Sequence, residues 1–148
     1  MSAVTPRREE HLPGVAALEG LCFSRPWSED ALREELHNPA AHFLVMEEAG
    51  AVIGYIGLHA PADEGFIANV AVHPAHRRKG VAARLLAAAR EWAEERHLFR
   101  LTLEVRVSNT AAIALYEGAG YVKDGVRPRF YERPAEDAAI YSLYLSNE

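Results

Sequence analysis

The sequence predicts a mixed α/β fold in which a mostly antiparallel central sheet of about seven strands is flanked by about four helices. Three observations lead there. Short apolar runs separated by tight turns in the first half of the chain predict antiparallel neighbours. A long amphipathic helix lies between two apolar strands, which predicts a parallel crossover. No repeat, low-complexity run or long Gly/Ser/Pro linker interrupts the 148 residues, so a single domain over 1–148 with short loops is expected.

Met1 to Glu10 reads as a strand start. Leu12, Val15, Leu18 and Leu21 then recur at helical spacing, and a second short helix begins at Ser28, an N-cap candidate after Pro26-Trp27, and stops at Asn38-Pro39. His42 to Glu47 and Val52 to Ala60, joined by the turn Glu48-Ala49-Gly50-Ala51, form a hairpin. Beyond the turn Pro61 to Gly65, Phe66 to Val72 is mostly apolar and reads as a central strand. Gly80 to His97 places Val81, Leu85, Leu86, Ala89, Trp92 and Ala93 on one stripe, filled between with helix-favouring Ala, Arg and Glu. Leu101 to Val105 alternates as a strand, and Thr110 to Ala119 is helical, closed by Gly118 and Gly120. Tyr121 to Val126 and Ala138 to Leu145 are the last strands. The order is β-α-α-β-β-β-α-β-α-β-β.

Composition excludes several function classes. No apolar stretch approaches the roughly 20 residues of a spanning helix, so no membrane association is expected. The N-terminus has no apolar core behind its basic residues and does not read as a secretory signal. The lone Cys22 cannot form an internal disulfide, which suits a reducing, cytoplasmic address; at the end of the first helix it reads as a packing residue. The seven histidines lack metal-ligand spacing, so no metal is expected. A net charge of -5 argues against direct nucleic-acid binding, and any anion site must be local.

The one dense basic cluster is such a site. Val70-Ala71-Val72-His73-Pro74-Ala75-His76-Arg77-Arg78-Lys79-Gly80-Val81-Ala82 runs from a strand through a basic loop into a helix. The first amides of a helix have no internal partner and its dipole favours anions, so a diphosphate can be held there. Gly80 lets the backbone come close, while Arg77, Arg78 and Lys79 add charge-assisted bonds, with His76 a further candidate contact. A nucleotide-binding P-loop is not expected, because Gly-x-x-x-x-Gly-Lys-Ser/Thr does not occur.

Further candidate functional residues follow on the next strand and helix. In Leu101-Thr102-Leu103-Glu104-Val105-Arg106 the alternation turns Glu104 away from the apolar face. Ser108-Asn109 caps a helix on which Asn109 and Tyr116, seven residues apart, share a face. Taken singly, Glu104 also reads as an exposed strand carboxylate, Tyr116 as a half-buried aromatic and Asn109 as a cap.

Arg77-x-x-Gly80-x-Ala82 after an apolar strand resembles the coenzyme A signature Q/R-x-x-G-x-G/A of the GNAT superfamily of N-acetyltransferases. Leu103 to Tyr121 resembles that superfamily's L-E-V-R-x-S-N-x-x-A-x-x-L-Y-x-x-x-G-F run, in the form closest to the ribosomal-protein alanine N-acetyltransferases. Phe23 to Ser28 is similar to the F-x-x-P-W-S segment of the same family, and Arg127-Pro128-Arg129-Phe130-Tyr131 with Glu136-Asp137-Ala138 to its R-x-x-Y-Y and E-D-A pieces. The likeness spans nearly the whole chain, and its departures at Pro128 and Phe130 bear on peptide recognition.

The resemblance implies the GNAT fold, acetyl-CoA as cosubstrate, and transfer to a primary amine by direct attack in a ternary complex. It implies that backbone groups of Val70, Ala71 and Val72 pair with the pantetheine arm beside a bulge. It implies that Arg77, Arg78, Lys79, Gly80, Val81 and Ala82 hold the pyrophosphate, and that Asn109 and Tyr116 touch the cofactor. Glu104 is then the general base and Tyr116 the general acid, with Trp27, Arg127 and Tyr131 on the acceptor side. The favoured acceptor is the N-terminal alanine of a small-subunit ribosomal protein. A lysine or a small amine as acceptor, or a non-catalytic acyl-CoA sensor or partner subunit, stays open, and a monomer or weak dimer is expected.

Overall fold

The computed structural model describes residues 3–23, 27–77, 80–132 and 134–145. Seven strands form one sheet in the order β1-β2-β3-β4-β5-β7-β6. These are β1 (Ala3–Pro6), β2 (Ala41–Glu48), β3 (Ala51–His59), β4 (Glu64–Val72), β5 (Arg100–Arg106), β6 (Val122–Tyr131) and β7 (Glu136–Tyr144). Every neighbouring pair is antiparallel except β4 and β5. Four helices accompany the sheet: α1 (Leu12–Cys22), α2 (Glu29–Glu35), α3 (Val81–Glu95) and α4 (Thr110–Gly118). The element order is the one the periodicity predicts, and α3 supplies the crossover between the parallel strands. No helix among the described residues is long and apolar enough to cross a membrane.

The sheet buries both faces. On one, Leu12, Val15 and Leu18 of α1 and Leu32 of α2 meet Phe43, Val45, Tyr55 and Ala71. On the other, the predicted stripe of α3 packs on Ile56, Leu58, Leu101, Leu103, Val105 and Tyr141, with α4 covering its margin through Ile113, Leu115 and Tyr116. Gly54 marks the closest approach between layers, since a Cβ there would stand 2.8 Å from Val81 Cγ1 and 3.2 Å from the Ala71 carbonyl oxygen. The start of α3 therefore sits directly on β3 and β4.

Three details depart from the sequence reading. Leu21 is 56% exposed, and the inward position of α1 is taken by Glu19, which is 1% exposed. Strand β4 begins at Glu64, inside the expected turn, because Gly65 leaves room for Leu98 and Leu101 where β4 and β5 pair. Strand β6 continues through Pro128 to Tyr131. It is an edge strand, where a missing N–H is tolerated, and its register shifts between Arg127 and Tyr131, with Arg129 at φ 52°.

Candidate active site

The parallel pair is short. β4 and β5 match only over Glu64–Phe66 and Arg100–Thr102, so beyond these residues the two strands part and open a gap in the sheet. Along the same stretch β4 carries a bulge: Gly57 pairs with Asn69 and Leu58 with Ile67, which leaves Ala68 without a partner on β3. Val70, Ala71 and Val72 follow on the β4 side of the gap. Ala71 faces the α1 and α2 core, and Val70 and Val72 pack toward α3. The Val72 carbonyl accepts from Arg77 Nε at 3.3 Å and from the Cys22 thiol at 3.5 Å.

At the end of the gap stands the N-terminus of α3. Gly80 is its N-cap, with φ 78° and ψ 10°, a left-handed conformation that a side chain resists. Open space surrounds the position where a Cβ would sit. The first intrahelical bond runs from the Arg84 amide to the Gly80 carbonyl, so the amides of Val81 and Ala82 have no acceptor within the helix. Arg77 is exposed beside them, with Nη2 3.7 Å from Cys22 Sγ. His76 lies 3.8 Å from Glu48. Arg78 and Lys79 lie outside the described residues. A glycine-opened helix start at the mouth of a strand gap fits a pyrophosphate with an extended arm behind it.

On the other side of the gap, Leu101, Leu103 and Val105 point into the α3 core, and Thr102, Glu104 and Arg106 point the opposite way. Glu104 Oε1 lies 3.7 Å from Arg127 Nη2 on β6. Its Oε2 is buried and has no hydrogen-bond partner among the described residues. A buried carboxylate oxygen without a protein partner is costly, and a bound ligand or substrate group is one way to supply the missing donor.

Asn109 caps α4 by accepting from the Ala112 amide at 3.2 Å. Two turns on, Tyr116 lies with its ring 6.0 Å from that of Tyr121. Burial, reinforced by the neighbouring Tyr131, pushes the Tyr116 phenol up to about 12, so it keeps its proton at neutral pH. Tyr131 is raised by burial and then by the Glu104 carboxylate. One phenol thus feels both Glu104 and Tyr116 and draws the carboxylate, the second phenol and Arg127 into one neighbourhood. Arg106 lies 4.5 Å over the Tyr131 ring and donates to the Pro134 and Glu132 carbonyls at 2.9 and 3.2 Å. It also pairs with Glu136, whose other oxygen accepts from the Ser108 amide at 2.6 Å. The β6–β7 turn is thereby clasped to the end of β5.

Trp27 is placed differently. Its ring packs against Phe43 at 6.4 Å and its backbone N–H donates to Glu19 Oε1 at 2.7 Å; no described contact joins it to the Glu104 group. Sequence reasoning passed over Glu19 and Arg106. For Glu19 the signal was a carboxylate one turn after Val15 on an otherwise apolar stripe; for Arg106 it was a cation on the same strand face as Glu104. Among the described residues no group of three or more His, Cys, Asp or Glu is arranged to hold a metal ion.

Comparison with known proteins agrees with this geometry. The sequence model of the acetyltransferase (GNAT) family matches residues 12–121. A protein of Bacillus subtilis (strain 168), described as a candidate [ribosomal protein bS18]-alanine N-acetyltransferase, is 38% identical over 94% of this chain and 93% of its own. The [ribosomal protein bS18]-alanine N-acetyltransferase of Escherichia coli (strain K12) is 30% identical over 99% of each chain. A crystal structure of the ribosomal-protein-S18-alanine N-acetyltransferase from Escherichia coli superposes with a TM-score of 0.90 at 30% identity, covering 99% of this chain and 95% of that one. A family match across most of the chain, a parted strand pair and a glycine-capped helix start converge on one conclusion: this chain belongs to the acetyltransferase (GNAT) family and is an acetyl-CoA-dependent N-acetyltransferase.

Proposed function

We propose that the protein is one cytoplasmic domain, working as a monomer or weak dimer, that acetylates the N-terminal α-amine of a small-subunit ribosomal protein beginning with alanine. The observation that carries the catalytic reading is the buried Glu104 Oε2 at the edge of the β4–β5 gap, which has no hydrogen-bond partner among the described residues. The acceptor rests on the relatives of Bacillus subtilis and Escherichia coli, whose descriptions name that alanine as their substrate.

Backbone groups of Val70, Ala71 and Val72 hold the pantetheine arm of acetyl-CoA in the gap. The amides of Gly80, Val81 and Ala82, with Arg77, Arg78 and Lys79, hold the pyrophosphate, and Asn109 and Tyr116 border the arm on the α4 side. Ala68 has no partner on β3, and an N–H at that bulge would polarise the thioester carbonyl. Trp27, Arg127 and Tyr131 line the acceptor side. An α-amine with pKa near ~8 is roughly a quarter neutral at pH 7.5, whereas a lysine near ~10.4 is neutral in only about one molecule in a thousand. A single carboxylate therefore suffices for the α-amine. Glu104 takes one amine proton, directly or through water, as the nitrogen attacks the carbonyl carbon. The C–N bond forms, the C–S bond breaks, and the Tyr116 hydroxyl delivers a proton to the departing sulfur, so the products are the N-acetylated chain and free CoA thiol. No step needs a metal, a nucleic acid or a membrane.

Release of free thiol from acetyl-CoA, measured with peptides that begin with alanine, tests the reading. Turnover with a free alanine terminus and none with the same terminus already acetylated is the expected result. Turnover with lysine side chains or polyamines alone would overturn the acceptor assignment, and no thiol release with any amine would overturn catalysis.

A further inference from the structure

Helix α1 carries a carboxylate where its apolar stripe should continue. Glu19 follows Val15 by one turn, and its side chain is almost fully buried. An ionised carboxylate is costly to bury unless donors surround it. Three donors do. Oε1 accepts from the Trp27 backbone N–H at 2.7 Å, a short bond. Oε2 accepts from the Tyr55 hydroxyl and from Asn69 Nδ2, the latter at 3.2 Å. Asn69 Nδ2 also lies 3.3 Å from the Tyr55 hydroxyl oxygen.

The donors come from separate parts of the fold: Tyr55 from β3, Asn69 from β4 and Trp27 from the entry to α2. None is needed to finish a helix. α1 closes with the Phe23 amide on the Glu19 carbonyl, and α2 is capped by the Ser28 hydroxyl. The side chain therefore ties elements to one another. Asn69 is the residue at which β4 resumes pairing after its bulge, immediately before Val70. Burial and the bond to Glu19 keep the Tyr55 phenol protonated and hence a donor. Arg7, buried with its guanidinium 3.9 Å from the Phe43 ring centre, sets a positive charge near the same phenol.

We propose that Glu19 is a positioning residue for acetyl transfer: one oxygen anchors the segment entering α2, the other anchors Asn69 beside the β4 bulge, and the carboxylate thereby sets the acceptor-side wall against the thioester cradle. This rests on the proposed placement of the acceptor beside Trp27 and of the thioester along Val70 to Val72. The arrangement demands a carboxylate. Three donors converge on two acceptor oxygens, whereas a glutamine offers one acceptor oxygen and one donor NH2. In either amide orientation Glu19→Gln keeps one anchor and sets its NH2 against a donor at the other.

Steady-state kinetics of the full-length chain with acetyl-CoA and an alanine-terminated peptide, together with calorimetric acetyl-CoA binding, tests this. Glu19→Gln is expected to raise the peptide KM roughly fivefold or more, the scale of one lost hydrogen bond, while kcat and the acetyl-CoA Kd stay within about twofold. Tyr55→Phe removes a single donor, leaves Trp27 anchored, and is expected to raise the peptide KM by a smaller factor. An unchanged peptide KM in Glu19→Gln, or equal losses of peptide and acetyl-CoA affinity, would overturn the proposal. Should Glu19→Gln not accumulate as folded protein, Tyr55→Phe decides alone, and an unchanged peptide KM overturns it. If the unaltered chain transfers no acetyl group to any alanine-terminated peptide, the acceptor reading falls and this one with it; normal transfer with an indifferent Glu19→Gln overturns only the positioning role.

Discussion

In the proposed mechanism Glu104 and Tyr116 divide the chemistry because their surroundings differ. Glu104 has one oxygen facing Arg127 and the other buried with no hydrogen-bond partner among the described residues, which in that mechanism leaves a lone pair for the amine proton. Tyr116 is packed against Tyr121 and held up to about 12 by burial and by Tyr131. It therefore remains a neutral donor throughout the range in which the α-amine titrates, and the alkaline side of the pH–rate profile should show no loss attributable to it below about pH 10. Glu104→Gln removes the base and keeps the shape, so kcat near pH 7.5 is expected to fall by roughly 10²–10⁴ with the acetyl-CoA Kd unchanged. Tyr116→Phe should lower kcat by about 10² for the same reason on the acid side. Full turnover by either variant in a thiol-release assay would remove that residue from its role.

Between elements, the site depends on how closely α3 sits on the sheet. Gly54→Ala places a Cβ 2.8 Å from Val81 Cγ1, in the first turn of α3. The expected cost is about 1–3 kcal/mol of stability, read by denaturant unfolding, together with weaker CoA binding as the helix start is pushed outward. Gly80→Ala meets open space, so only its left-handed backbone resists; about 1–2 kcal/mol is expected, again with loss of CoA affinity. An unchanged CoA Kd in both variants would show that the helix start holds no phosphate. These two glycines also mark what could be read in advance. Gly80 was legible because it stands between a basic run and a strong helix stripe. The Val81–Ala93 stripe and the Leu101–Val105 alternation were legible because each buries one face against a single core. The parting of β4 from β5 was not, since it depends on where pairing stops, and the side chains of Phe66 and Thr102 carry no mark of it. Glu19 was hidden for a related reason: α1 periodicity favours the apolar Leu21, and only the donors on Tyr55, Asn69 and Trp27, distant in sequence, turn a carboxylate inward. The β6 extension through Pro128 was masked by a residue that usually ends strands and is tolerated here because β6 lies at the edge.

Across the whole molecule, two cores pack on opposite faces of one sheet, and a titratable group joins the sheet to α3. His42 of β2 stacks on Trp92 at 5.4 Å, and burial, then the charge of Arg96, lowers its pKa from the ordinary histidine value. The folded state therefore keeps the imidazole neutral at a pH where the unfolded chain, titrating near ~6.5, already binds a proton. Stability is complete above that value and declines as pH falls below it. Chemical denaturation should give a lower midpoint at pH 5.5 than at pH 7.5, and His42→Asn should flatten that slope; an unaltered slope would assign the acid sensitivity elsewhere. The most direct test of the account is a crystal structure with CoA joined through an acetyl bridge to the α-amine of an alanine-terminated peptide. The pantetheine is predicted along Val70 to Val72 with the pyrophosphate at Gly80 to Ala82, the sulfur within roughly 3–4 Å of the Tyr116 hydroxyl, and the amine nitrogen within reach of Glu104 directly or through one water. A sulfur remote from Tyr116, or an amine entering on the face away from Glu104, would contradict it.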